Sequence, residues 1–82
     1  KMTEAYIEKG IIFFERKNYD TALKTFSMAA TVSNTDADAY YWMGRCYEAT
    51  GKTDDAITNY RRALALDTEF TEAKAALRRL NG

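Results

Sequence analysis

Histidine and proline are both absent from this sequence, cysteine occurs once, at Cys46, and glycine occurs four times in 82 residues. Each shortage excludes something. Without histidine there is no imidazole for acid–base catalysis near neutral pH, and the commonest metal ligand is missing. A lone cysteine forms no internal disulfide, which removes the small secreted disulfide scaffolds. Without proline and with little glycine, turn-rich β architectures are disfavoured and helices favoured. No apolar run approaches the ~20 residues of a membrane span, and no signal-peptide pattern stands at the start. Charge of one sign is lacking too. Twelve Lys and Arg face twelve Asp and Glu, so the formal net charge is zero and there is no basic footprint for DNA or RNA.

What is present points to one small globular domain: 46% of the residues are apolar and 29% charged. Sliding the sequence against itself by 34 positions brings like onto like. Ala5 meets Ala39, Tyr6 meets Tyr40, Gly10 meets Gly44, Asp20 meets Asp54, Ala22 meets Ala56, Ala29 meets Ala63 and Ala39 meets Ala73. Similar residues fall in register as well, Phe13 with Tyr47, Leu23 with Ile57, Phe26 with Tyr60 and Val32 with Leu66. Small residues and aromatics alternating at helical spacing make a packing pattern.

Each 34-residue unit reads as two helices, about 3–16 and 19–32, then 36–50 and 53–66, with a fifth at about 69–80. The spacing i, i+4, i+7 puts Tyr6, Gly10 and Phe13 on one face of the first helix and Ala22, Phe26 and Ala29 on one face of the second. Tyr40, Gly44, Tyr47 and Ala56, Tyr60, Ala63 repeat both faces. The glycines and alanines are expected where helices of one unit cross, because backbones about 8 Å apart leave no room for a branched side chain. Gly51 suits a left-handed turn, and Thr53 or Asp54 is expected to cap the fourth helix. The fifth helix keeps Ala73 and Leu77 but carries Arg78 at the glycine position, as a solubilising cap would.

These residues resemble the tetratricopeptide repeat family. The resemblance rests on the 34-residue period and on two matched copies of the motif, Tyr6-Lys9-Gly10-Phe13 with Ala22-Phe26-Ala29 and Tyr40-Met43-Gly44-Tyr47 with Ala56-Tyr60-Ala63. Lys9 departs from the usual apolar residue, and Asn34 and Thr68 stand where the family commonly has proline. The resemblance implies an all-α fold of five helices, antiparallel hairpins stacked as a right-handed α-solenoid. It implies one domain over 1–82, with repeat 1 at about 3–36, repeat 2 at about 37–70 and a capping helix at about 69–80. The chain is expected to be a piece of a longer protein.

Chemistry can be tested motif by motif. Gly51-Lys52-Thr53 ends like a phosphate-binding loop, but Cys46 stands where that loop needs glycine and a helix precedes it. Asn34-x-Asp36-x-Asp38 begins like a calcium loop, but Ala39 and Arg45 occupy its glycine and glutamate positions, so helix capping is the better reading. Cys46 has no histidine to activate it and reads as a structural thiol. No enzyme, cofactor or metal is expected.

In the resembled family the first helices of successive units line a concave groove. Its positions here include Glu4, Glu8, Glu15, Asp38, Glu48 and Glu72 against Arg45 and Arg79, six acids to two arginines. An apolar stripe of Ile7, Ile11, Phe14, Tyr41 and Trp42 runs through it. Family members that grip the acidic carboxyl terminus of heat-shock chaperones use a basic, asparagine-containing clamp. Its first-helix positions hold Ile7 and Ile11 here, and its second-helix asparagine position holds Trp42, so the charge-assisted hydrogen bonds a carboxylate needs are gone. The expected function is a non-catalytic protein–protein interaction module. Its groove of Ile7, Ile11, Phe14, Tyr41, Trp42, Arg45 and Glu48 would take a peptide or helix, apolar with basic flanks. The competing expectation is a segment of a longer solenoid, or a homodimer through Ile7, Ile11 and Phe14. Neither nucleic acid nor membrane insertion is expected, and the cytoplasm is favoured over the periplasm.

Overall fold

The computed structural model describes residues 2–81, in which five helices follow one another: α1 (Met2–Glu15), α2 (Tyr19–Val32), α3 (Ala37–Ala49), α4 (Thr53–Leu66) and α5 (Thr71–Asn81). Among the described residues there is no strand. α1 and α2 form one antiparallel hairpin, α3 and α4 a second. α2 packs on α3 to join the units, and α5 closes the array against α4. This is the all-α stack of hairpins that the family resemblance implies.

The two hairpin turns are copies of each other. Lys17 and Gly51 both adopt a left-handed backbone, with φ of 63° and 82°. The next amide reaches back five residues in each, Asn18 to the Phe13 carbonyl at 2.9 Å and Lys52 to the Tyr47 carbonyl at 2.8 Å. That pattern satisfies helix-end carbonyls that would otherwise lack a donor. The fourth helix does not start as expected. Thr53 and Asp54 lie inside its first turn, and Lys52 stands at the N-cap with no side-chain hydrogen bond. Asp54 and Asp55 favour that end through the helix dipole instead. α3 is capped as its sequence suggests, the Asp36 carboxylate accepting from the Asp38 amide at 3.0 Å.

The positions commonly held by proline leave the helix ends intact. Ser33 and Asp67 are both extended, and α2 and α4 stop at Val32 and Leu66. α5 begins two residues later than the periodicity predicts. The Asp67 carboxylate accepts from the Glu69 amide at 3.1 Å, holding residues 67–70 in a turn before the helix can start.

Two apolar clusters form the interior. Ala22, Phe26 and Cys46 make the first, with Ile7, Ile11, Phe13, Phe14, Leu23, Trp42 and Met43 packed around them. Ala56, Tyr60 and Ala76 make the second, with Tyr41, Tyr47, Leu77 and Leu80 around them. The glycines set the geometry. A Cβ on Gly44 would lie 2.7 Å from Cε1 of the Tyr60 ring, and one on Gly10 would collide with the Phe26 ring in the same way. Each hairpin thus closes glycine onto ring, whereas the sequence pattern paired glycine with alanine at the crossing and put the aromatic to one side.

Gly44→Ala therefore tests two opposed effects. Helix propensity alone favours alanine by about 1 kcal/mol. Tyr60 is fully buried and hydrogen-bonded through its hydroxyl, so its ring cannot retreat. Overpacking should prevail, and urea denaturation of Gly44→Ala should show a net loss of about 1–3 kcal/mol.

Candidate functional site

α1, α3 and α5 contribute their outward faces to one side of the stack. Along each helix, residues spaced i, i+3, i+4, i+7 share a face, and on α3 that face carries Asp38, Tyr41, Trp42, Arg45 and Glu48 in order. Three clefts lie on it. Glu4, Ile7, Glu8, Asp36 and Asp38 line the first, of about 290 Å³. Phe14, Arg45, Glu48, Ala49 and Arg79 line the second, of about 270 Å³. The third, of about 430 Å³, is lined by Tyr41, Arg45, Tyr60, Glu72, Ala75, Ala76 and Arg79.

The aromatics between these clefts form a continuous run of contacts. Tyr19 meets Phe14 edge-on at 5.3 Å, Phe14 meets Trp42 at 5.5 Å, Trp42 meets Tyr41 at 5.6 Å, and Tyr41 meets Phe70 at 5.0 Å. Trp42 also lies stacked on the buried Phe26 ring, at 5.6 Å and 21°. The sequence places Trp42 off the packing face. In the fold its indole is half-buried and holds the first hairpin to the second. Ile7, Ile11 and Phe14 are half-buried against the same cluster. The exposed large apolar side chains lie elsewhere, at Met2, Ile12, Met28, Val32 and Leu66.

Charge is segregated along the face. At the N-terminal ends of α1, α3 and α5 the carboxylates gather, and Asp38 shows it: burial first, then Asp36, Asp67 and Glu72, push its carboxyl above the usual range. Toward the C-terminal ends sit the arginines. The Arg45 guanidinium lies over the rings of Phe14 at 4.9 Å and Trp42 at 5.0 Å, with Tyr41 at 6.0 Å. Such cation–π contacts contribute about 0.5–1 kcal/mol each at exposed sites. Arg79 is occupied differently, its Nη2 donating to both Glu48 carboxylate oxygens at 2.8 Å while the Tyr60 hydroxyl donates to Oε1 at 2.8 Å. Glu48 thereby ties α3, α4 and α5 together. Arg45 and Arg79 are themselves 34 residues apart. That register identity was the available signal for a repeated arginine on this face.

Of the residues expected to pack the repeats, Gly10, Ala22, Phe26, Ala29, Gly44, Ala56, Tyr60 and Ala63 are buried. Tyr6, Phe13, Tyr40 and Tyr47 are half-buried. Tyr40 carries the Arg62 guanidinium 5.9 Å over its ring. Cys46 sits at 1% exposure beneath α2, and burial pushes its thiol up to about 12, the Arg45 charge opposing only weakly. Among the described residues no group of three or more acids, cysteines or histidines is arranged to hold a metal ion. None of their helices is long and apolar enough to cross a membrane.

Known proteins resemble this chain as follows. The tetratricopeptide repeat family matches it over residues 13–80. The Protein SGT1 homolog of Bos taurus is 34% identical over 58 residues, which cover 71% of this chain and 17% of that protein. Tetratricopeptide repeat protein 1 of Schizosaccharomyces pombe is 37% identical over 60 residues, 66% of this chain and 6% of that one. The chain thus spans under a fifth of the length of either relative. Among solved structures, the second repeat domain of Spaghetti, bound to an HSP90 peptide of sequence SRMEEVD, superposes with a TM-score of 0.94 at 17% identity, covering 99% of this chain and 75% of that one.

The thiol provides a check on the packing. A group ionising near 12 stays protonated at pH 8, so native Cys46 should be inert to a disulfide reagent over hours and react fully once guanidinium unfolds the chain. Rapid reaction of the folded protein would place Cys46 outside the seam between the hairpins.

Proposed function

Because the chain belongs to the tetratricopeptide repeat family, whose fold serves protein–protein interaction and is generally non-catalytic, we propose that it is a non-catalytic module whose concave face binds a peptide or helix of a partner protein. One observation carries this reading: Ile7 shares a cleft with the carboxylates of Glu4, Glu8, Asp36 and Asp38, on the same face as Ile11 and the half-buried run Phe14–Trp42–Tyr41. An apolar anchor flanked by basic residues complements it. Spaghetti holds an acidic peptide. Here the clamp positions Ile7, Ile11 and Trp42 offer a carboxylate no charged donor, which favours a different ligand class. The domain comprises repeat 1 at about 3–36, repeat 2 at about 37–70 and the closing helix, and a buried free thiol suits a reducing compartment such as the cytoplasm.

A second reading, a place in a longer solenoid or self-association, is favoured by the outer face of α1. Ala39 and Cys46 are fully buried in the second unit, yet their register mates Ala5 and Ile12 are exposed, Ile12 at 49%. Ala5 borders an uncovered cleft of about 270 Å³ together with Met2, Tyr6 and Lys9.

Trp42 is the only tryptophan, so its fluorescence reports on the groove directly. Titration with a synthetic peptide of a Leu-Phe-Leu core between lysine pairs should shift its emission. Followed by calorimetry, which needs no tryptophan, Trp42→Phe keeps a ring on Phe26 and should weaken that binding by about 1–2 kcal/mol. Equal affinity for the variant would reject the groove assignment. For the second reading, mass measured across a concentration series should rise in the native chain and stay monomeric in Ile12→Glu. A monomer throughout removes self-association.

A further inference from the structure

The acid-to-arginine order along the concave face has a consequence for the ligand. Arg45 and Arg79 share a register position, but their surroundings differ. Glu48 occupies Arg79 through both carboxylate oxygens, whereas Arg45 forms no ion pair among the described residues. Its guanidinium instead rests on the faces of Phe14 and Trp42. Contact with the rings leaves its fork of N–H donors without a carboxylate partner among the described residues, and it is that fork that receives a carboxylate. Arg45 also borders both arginine-side clefts, where a ligand would lie.

We propose that Arg45 is a specificity-determining residue that receives a carboxylate of the bound segment, so that the groove selects an extended peptide basic at one end and acidic at the other. This rests on the groove reading above and changes one flank of its ligand. The spacing follows from the helix. Asp38 and Arg45 are seven residues apart on α3, about 10 Å along its axis. Extended chain rises about 3.3 Å per residue and turns alternate side chains to the same side. A basic residue at i, an apolar anchor at i+2 and an acid at i+4 therefore all face the protein. The flexible stems of the charged side chains absorb the remaining difference. The anchor meets the Trp42–Tyr41 rings, and the basic end meets Asp36 and Asp38, where burial first and like-charge crowding second push the Asp38 carboxyl up.

Three capped pentapeptides decide it: Lys-Ser-Phe-Ser-Glu, Lys-Ser-Phe-Ser-Lys and Glu-Ser-Phe-Ser-Glu, titrated to millimolar concentration against the labelled chain by NMR, with the Trp42 indole N–H as reporter. The mixed-charge peptide should bind about fivefold or more tightly than either like-charged one, and the difference should shrink as salt rises. Arg45→Gln should erase its advantage over the dilysine peptide, and Arg45→Lys should restore part of it. If the dilysine peptide binds as tightly or more tightly to the native chain, the inference is overturned and the basic-flank reading stands. If none of the three shifts the spectrum, both fail.

Discussion

The contact on which the structure depends is a glycine laid against an aromatic ring. Gly10 admits Phe26 and Gly44 admits Tyr60 at distances no Cβ allows, which brings the two helices of each hairpin close. Everything else is arranged about those rings. Phe26 is the platform on which Trp42 stacks, so the first hairpin's closure positions an aromatic of the second. Tyr60 in turn presents its hydroxyl to Glu48, and Glu48 takes Arg79 from the closing helix. A packing constraint is thereby converted into a polar tie across three helices.

The same arrangement explains why a chain of zero net charge has a polarised face. α1, α3 and α5 carry acids in their first turns, where the helix dipole favours them; α5 ends on Arg78 and Arg79, while α3 sets Arg45 just before a last turn that holds Glu48. Because these helices supply the same side of the stack, the first-turn acids line up along one rim. Crowding of Asp36, Asp38, Asp67 and Glu72 is one visible result. The other is an arginine pair in which one member is held by a carboxylate and its mate only by rings.

Much of the fold was legible in the residues. Alternating small and aromatic side chains at 34-residue intervals specify two hairpins, and the left-handed turn at Gly51 was legible too. Its twin at Lys17 carried no such signal, because lysine adopts that conformation only under the pull of the surrounding hairpin. The caps were half legible: Asp36 acts as its type suggests, while Thr53 and Asp54 lie inside the helix they seemed to cap. For the candidate face the membership of α1, α3 and α5 could be read from register, but not the depth of each side chain.

That division has a physical reason. Helical period, repeat length and the need for glycine at a close crossing depend on neighbours within a turn or within one hairpin, so the sequence by itself determined them. Trp42 on Phe26, Arg45 on Phe14 and Arg79 on Glu48 join residues 16 to 31 positions apart, on helices that meet only when the hairpins stack. Only the tertiary structure decided which arginine is taken, which aromatic is half-buried, and which charges share a rim.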